Sequence, residues 1–234
     1  MKLPILLSSR AGKAFMIACA SILLLASCSK KRDPQPEPVG EAKVRYVNAS
    51  FGSLSQDFYV NGTKKNVTPL NYGNTSEHFT ITSGANTFNV NDAGTTTVNA
   101  STQVQIAIGS KYSIFYYKNI DGKLALAFLA DAVSTPPAGK ANVRFINFNS
   151  TLNSNMTISN DAGVTTLIPS LAYFGVSDFF PVDAGAKFTF SATGWISAAA
   201  YDGGIVAGKS YTIWIDGNTN VNNKQLIGHI FEQN

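Results

Sequence analysis

The heptapeptide Ala42-Lys43-Val44-Arg45-Tyr46-Val47-Asn48 decides the fold. Val44, Tyr46 and Asn48 fall on one side of an extended chain, and Arg45 and Val47 fall on the other. Alternation of this kind among β-branched and aromatic residues marks a strand. The pattern returns 99 residues later as Ala141-Asn142-Val143-Arg144-Phe145-Ile146-Asn147. Gly109-Ser110-Lys111-Tyr112-Ser113-Ile114 returns, also 99 residues on, as Gly208-Lys209-Ser210-Tyr211-Thr212-Ile213. Phe79, Gly84 and Phe88 are answered by Phe180, Gly185 and Phe188, about 101 residues on. Three landmarks in one order imply two homologous domains, 41–135 and 141–234, with a linker at 136–140.

The rest of the body reads the same way. Val104, Ile106 and Ile108 alternate with polar or small residues, and Lys111 to Lys118 is rich in Tyr and Phe. In the second domain Phe188 and Phe190 share a face, as do Tyr211, Ile213 and Ile215. Asn61-Gly62, Asp121-Gly122, Asp202-Gly203-Gly204 and Asp216-Gly217 read as turn signals, because Asx-Gly tolerates the positive φ that tight hairpins require. No apolar pattern of helical period extends beyond two turns after Gly40. The expected fold is therefore all-β: two tandem immunoglobulin-like β-sandwich domains of seven to nine short strands each. Pro136-Pro137 stiffens a short joint, so the domains are expected end to end with limited swing.

The N-terminus reads as an address. Lys2, Arg10 and Lys13 precede thirteen apolar residues, Ala14 to Ala26. Thirteen is too few to span about 30 Å of hydrocarbon, which takes roughly 20 residues, but it suits a secretory signal. The stretch closes on Leu25-Ala26-Ser27-Cys28, which resembles the lipobox of bacterial lipoproteins. That resemblance implies a signal peptide at 1–27, cleavage between Ser27 and Cys28, and diacylation of the Cys28 thiol with acylation of its new amine. Each buried methylene contributes about 0.8 kcal/mol, so several acyl chains hold a protein to a membrane where one does not. Residues 28–40 form the lipidated cysteine and a tether with prolines at 34, 36 and 38. In polyproline-like form its last twelve residues reach roughly 37 Å. Cys19 leaves with the signal, so the body has no thiol for a disulfide, a metal or catalysis.

The formal net charge of +4 is misleading. Lys2, Arg10, Lys13, Lys30, Lys31 and Arg32 all precede Gly40, and beyond it 12 basic residues meet 12 acidic ones. A neutral body without a basic patch argues against a nucleic-acid partner. The partners expected are the membrane, through the anchor, and an envelope protein or a glycan.

Ala42 to Ser50 resembles the opening motif of the DUF4397 domain. So do Asp57-Phe58-Tyr59-Val60-Asn61-Gly62-Thr63, Tyr72-Gly73, Ser83-Gly84 and the strand end at Asp131. The family's usual Ser-Pro-Asp after the first strand is Ser50-Phe51-Gly52 here, and the second repeat departs further, with Phe148-Asn149 for Ala49-Ser50. The resemblance implies a β-sandwich found in secreted and envelope-anchored bacterial proteins, of the kind borne by Bacteroidota lipoproteins. It implies no activity.

The chemistry-bearing residues are sparse. His78 and His229 occupy non-equivalent positions and lack a neighbour at metal-ligand spacing, so they read as polar strand residues. Asp92, Asp121, Asp161, Asp183 and Asp202 adjoin Gly or Ala in turn-like stretches. No nucleophile elbow, zinc-protease helix or P-loop is present. The expectation is a non-enzyme with no cofactor and no metal. Aromatic residues are the remaining signal. Tyr116 and Tyr117 point to opposite faces of one strand, Trp195 lies in a small-residue loop, and Trp214 alternates with Ile213 and Ile215. These four are the candidate ligand-facing aromatics, because exposed rings stack on sugars or anchor interfaces. Two functions follow. The first is a lipid-anchored, non-catalytic protein of the cell envelope, at the outer membrane, presenting its sandwiches for structural or protein-binding roles. The second is a glycan-binding surface lipoprotein of a polysaccharide-uptake or adhesion system.

Overall fold

The computed structural model describes residues 38–131, 135–160, 164–195, 200–218 and 224–233. Every regular element among them is a strand. In the first half, β1 (Glu41–Asn48), β4 (Phe79–Thr82), β7 (Lys111–Lys118) and β8 (Leu124–Ala130) form one sheet, in the order β4-β1-β7-β8. The other holds β2 (Gln56–Val60), β3 (Thr63–Lys64), β5 (Gly84–Asp92) and β6 (Val98–Ile106), in the order β3-β2-β5-β6. In the second half, β9 (Lys140–Asn147), β12 (Phe180–Asp183), β15 (Ser210–Asn218) and β16 (Gln225–Glu232) run β12-β9-β15-β16. Its other sheet holds β10 (Met156–Asn160), β11 (Thr165–Leu171), β13 (Lys187–Ser191) and β14 (Tyr201–Asp202), as β11-β10-β13-β14. The fold is all-β with two sandwich-like pairs of sheets, as expected. The strand order of the two halves is the same, and both carry one parallel pair, β1 with β7 and β9 with β15.

Each half has its own core. Val44, Tyr46, Phe58, Phe88 and Ile114 centre the first, and Val143, Phe145, Phe188, Phe190 and Ile213 the second. The heptapeptide accounts for a third. Val44 and Tyr46 point into the first core, while Val47, on the opposite face of β1, packs in a layer with Phe115, Ile146, Phe148, Trp214 and Phe231. These residues lie on or beside strands of β4-β1-β7-β8 and of β12-β9-β15-β16. Those two sheets therefore face one another, which corrects the end-to-end arrangement. The reason is legible in hindsight: Ile114-Phe115-Tyr116 and Ile213-Trp214-Ile215 are consecutive buried residues, the mark of strands covered on both faces.

Both halves point the same way. The loop after β1 and the loop after β9 meet around one cavity, at an end called the apex below. The opposite end, the base, receives the chain at Val39 and Gly40, beside Ile108. The Gly208 amide bonds the Lys140 carbonyl there, and the Gln233 amide bonds the Ser210 carbonyl. With about 3.3 Å per residue, the eight residues of β1 separate base from apex by roughly 26 Å.

Candidate functional site

The structure relocates the aromatic candidates. Trp214 is completely buried and stacks on His229, with ring centroids 4.9 Å apart. Tyr116 is 1% exposed, in the first core. Neither faces a ligand as expected, because β7 and β15 are inner strands of the two facing sheets. Tyr117 does point opposite to Tyr116, but into the layer between the sheets, half-buried against Phe148 and Phe174. Trp195 is half-buried against the second core, with its ring over Gly217. Ser27 and Cys28 lie outside the described residues.

Groups distant in sequence meet between the facing sheets. Arg45 of β1 and Arg144 of β9, equivalent positions of the repeated motif, converge on Asp131. Arg45 Nε lies 3.5 Å and Arg144 Nη2 3.7 Å from its carboxylate oxygens. Ser113 Oγ donates to Asp131 Oδ1 at 2.7 Å, and His78 Nε2 stands 3.1 Å from Oδ2. The arginines reach across reciprocally. Arg45 Nη1 donates to the Glu232 carbonyl and Arg144 Nη1 to the Ala130 carbonyl. Arg45 also lies over the Phe231 ring and Arg144 over the Phe179 ring, at 4.7 and 5.1 Å. Burial lowers both guanidinium pKa values, that of Arg144 to about 10, against the opposing pull of Asp131. Burial likewise lowers His78, with the nearby Arg45 charge acting in the same direction.

A second cluster lies nearer the apex. Tyr72 Oη donates to the Asp216 carboxylate, 2.7 and 2.8 Å from its two oxygens, and lies 2.9 Å from His229 Nε2. Burial, then the Asp216 charge, raise the Tyr72 pKa far above that of a free phenol, so the hydroxyl stays a donor. Both histidines are thus held in polar clusters between the sheets, which spacing along the sequence did not reveal. Among the described residues no group of three His, Cys, Asp or Glu is arranged to hold a metal ion.

The apex carries open cavities. Two cavities open there and share Phe51 and Lys118. One, of about 120 Å³, lies between the halves, against Phe148, Asn149 and Asp216. The other, of about 380 Å³, is bounded by Ser50, Leu54, Asp92, Asn99 and Leu124. Phe51 and Leu54 are exposed, as is Lys118. Asp92 Oδ1 accepts from Asn99 Nδ2 at 2.7 Å and from Gln56 Nε2 at 2.8 Å. The buried Ser50 Oγ and Asn149 Nδ2 have no hydrogen-bond partner. Sequence reading missed Phe51 and Lys118, because nothing local distinguishes them from ordinary loop residues.

Residues 42–154 match DUF4397, a domain of unknown function. The match takes in the whole first half and continues through β9 of the second. No curated protein matches the chain. Among solved structures, the chain is similar to the carbohydrate-binding module CBMbc (family CBM26) of Eubacterium rectale Amy13K, crystallised with maltoheptaose. The identity is 12%, over 83% of this chain and 97% of that one, with a TM-score of 0.28. It is also similar to the Bacillus anthracis TIE protein, at 13% identity over 81% of this chain and 34% of that one, with a TM-score of 0.24. Scores this low transfer neither ligand nor role.

Proposed function

We propose that the chain is a lipid-anchored, non-catalytic protein of the cell envelope that presents its apical loops to partners from the outer membrane. The observation that carries this reading is the placement of the ends. The chain enters the body at the base, and the loops after β1 and β9, with the exposed Phe51 and Leu54 and the two cavities they border, lie at the opposite end. A tether acylated at Cys28 would join the body at the end opposite that surface, which supports presentation of the apex. The buried ionic clusters support the non-catalytic part. Arg144 with Asp131, Arg45 with the Glu232 carbonyl and Tyr72 with Asp216 bond across the two halves, which is work of assembly.

Fractionation of cells producing the wild type and Cys28→Ala tests the anchor. The wild type is expected in the membrane fraction and the variant in the soluble one. A variant that stays in the membrane at wild-type levels contradicts the reading.

A further inference from the structure

We infer that the apical groove is a glycan-binding site, with Phe51 as the platform for one sugar ring and Lys118 as a donor to its hydroxyls. This rests on the reading that the chain presents its apex without acting on what it binds. Of the aromatic rings nominated from sequence, Trp214 lies in the layer between the sheets and Tyr116 contributes only a buried wall of the larger cavity, so the exposed ring of the site is Phe51.

Three features select the ligand class. First, Phe51 is 36% exposed at a position shared by both cavities, and its ring stands edge-on to Tyr72, with centroids 5.4 Å apart. A ring fixed by a neighbour offers an apolar face at little entropic cost. Second, the surrounding polar groups are of both kinds. Lys118 and Asn149 donate, Asp92 accepts, and Ser50 does either. A sugar, whose hydroxyls donate and accept around an apolar ring face, complements such a lining. A simple anion would meet Asp92, and a hydrophobic peptide side chain would meet the polar floor. Third, Ser50 and Asn149, 1% and 3% exposed, line the groove from the two halves with side-chain atoms that bond to nothing. Buried polar atoms without partners are costly, and at the edge of an open groove a ligand can supply the missing bond. The groove runs over the loop after β1 and, through the smaller cavity, over the loop after β9. A chain longer than one sugar is therefore the expected occupant.

Affinity electrophoresis of the full mature chain in mild detergent tests this, in gels holding laminarin, starch, xylan, mannan, galactan or polygalacturonate. At least one polymer is expected to retard the protein. Phe51→Ala should then weaken the apparent affinity by about tenfold, and Lys118→Ala by about threefold. Val67→Ala, which removes an exposed apolar side chain outside the groove, should change nothing. Retardation by none of these polymers overturns the inference. So does a Phe51→Ala variant retarded like the wild type, or a Val67→Ala variant weakened as much as Phe51→Ala. None of these failures touches the anchor, which is read from Cys28 and the membrane fraction alone.

Discussion

The Tyr72 hydroxyl of the first half stands 2.7 Å from Asp216 Oδ1 of the second. The bond crosses the layer between the facing sheets and is held from behind by His229, which Trp214 stacks upon. Tyr72→Phe keeps the ring and removes the donor. Hydrogen bonds to charged groups contribute about 1.5–3 kcal/mol, so the variant should lose that much stability to urea. An unchanged midpoint would mean that the bond does not hold the halves together.

The pairing of Arg45 and Arg144 on Asp131 makes a stronger demand. Asp131→Ala leaves two buried guanidinium groups without their shared carboxylate. Breaking a buried ionic cluster in this way costs about 3–5 kcal/mol. Calorimetry should show a correspondingly lower unfolding temperature. A loss below about 1 kcal/mol would place the cluster at the level of a surface ion pair.

His78 adds a pH dependence of defined sign. Its pKa in the folded protein lies below the ordinary value of 6.5, chiefly through burial. Between the two values the unfolded chain binds more protons, so protonation favours unfolding. Stability is therefore full above about pH 6.5 and declines as pH falls below it. Urea titrations from pH 7.5 to 5 should show this decline, reduced in His78→Gln. An identical slope in the variant would assign the decline to other groups.

Gly73 and Phe174 bond alike, each donating its amide to the carbonyl of the motif asparagine, Asn48 or Asn147. Both have positive φ, 84° and 60°. At Gly73 a Cβ would stand 3.0 Å from the His229 ring, whereas the Phe174 ring packs on Tyr117 and Phe148. Gly73→Ala should cost about 1–3 kcal/mol, from strained backbone and contact with His229. A neutral substitution, measured by thermal unfolding, would show that the turn relaxes freely.

Trp214→Ala should destabilise by about 3–5 kcal/mol, the cost of a large cavity in a core. A surface residue in its place would lose less than about 0.5 kcal/mol.

The strand class was legible because alternation is local. Val44 and Tyr46 against Arg45 and Val47 suffices to read β1 as a strand. What alternation could not convey was that the second face of β1 is also covered. Arg45, on the side of β1 opposite Val44 and Tyr46, is buried against the Phe231 ring and beside Asp131. For the same reason Trp214, beside Ile213 and Ile215, read as outward when a third core lies on that side. The histidines failed to stand out because their partners are remote in the chain, 53 residues from His78 to Asp131 and 157 from His229 to Tyr72. The apical cavities depend on loops from both halves, a juxtaposition that no single stretch encodes.

Presentation from a lipid anchor is the centre of this account, and mass spectrometry of the mature N-terminus tests it most directly. The account predicts a chain that begins at Cys28 and carries acyl groups on both its thiol-linked glyceride and its amine. An unmodified Cys28, or a mature chain beginning elsewhere, would contradict it.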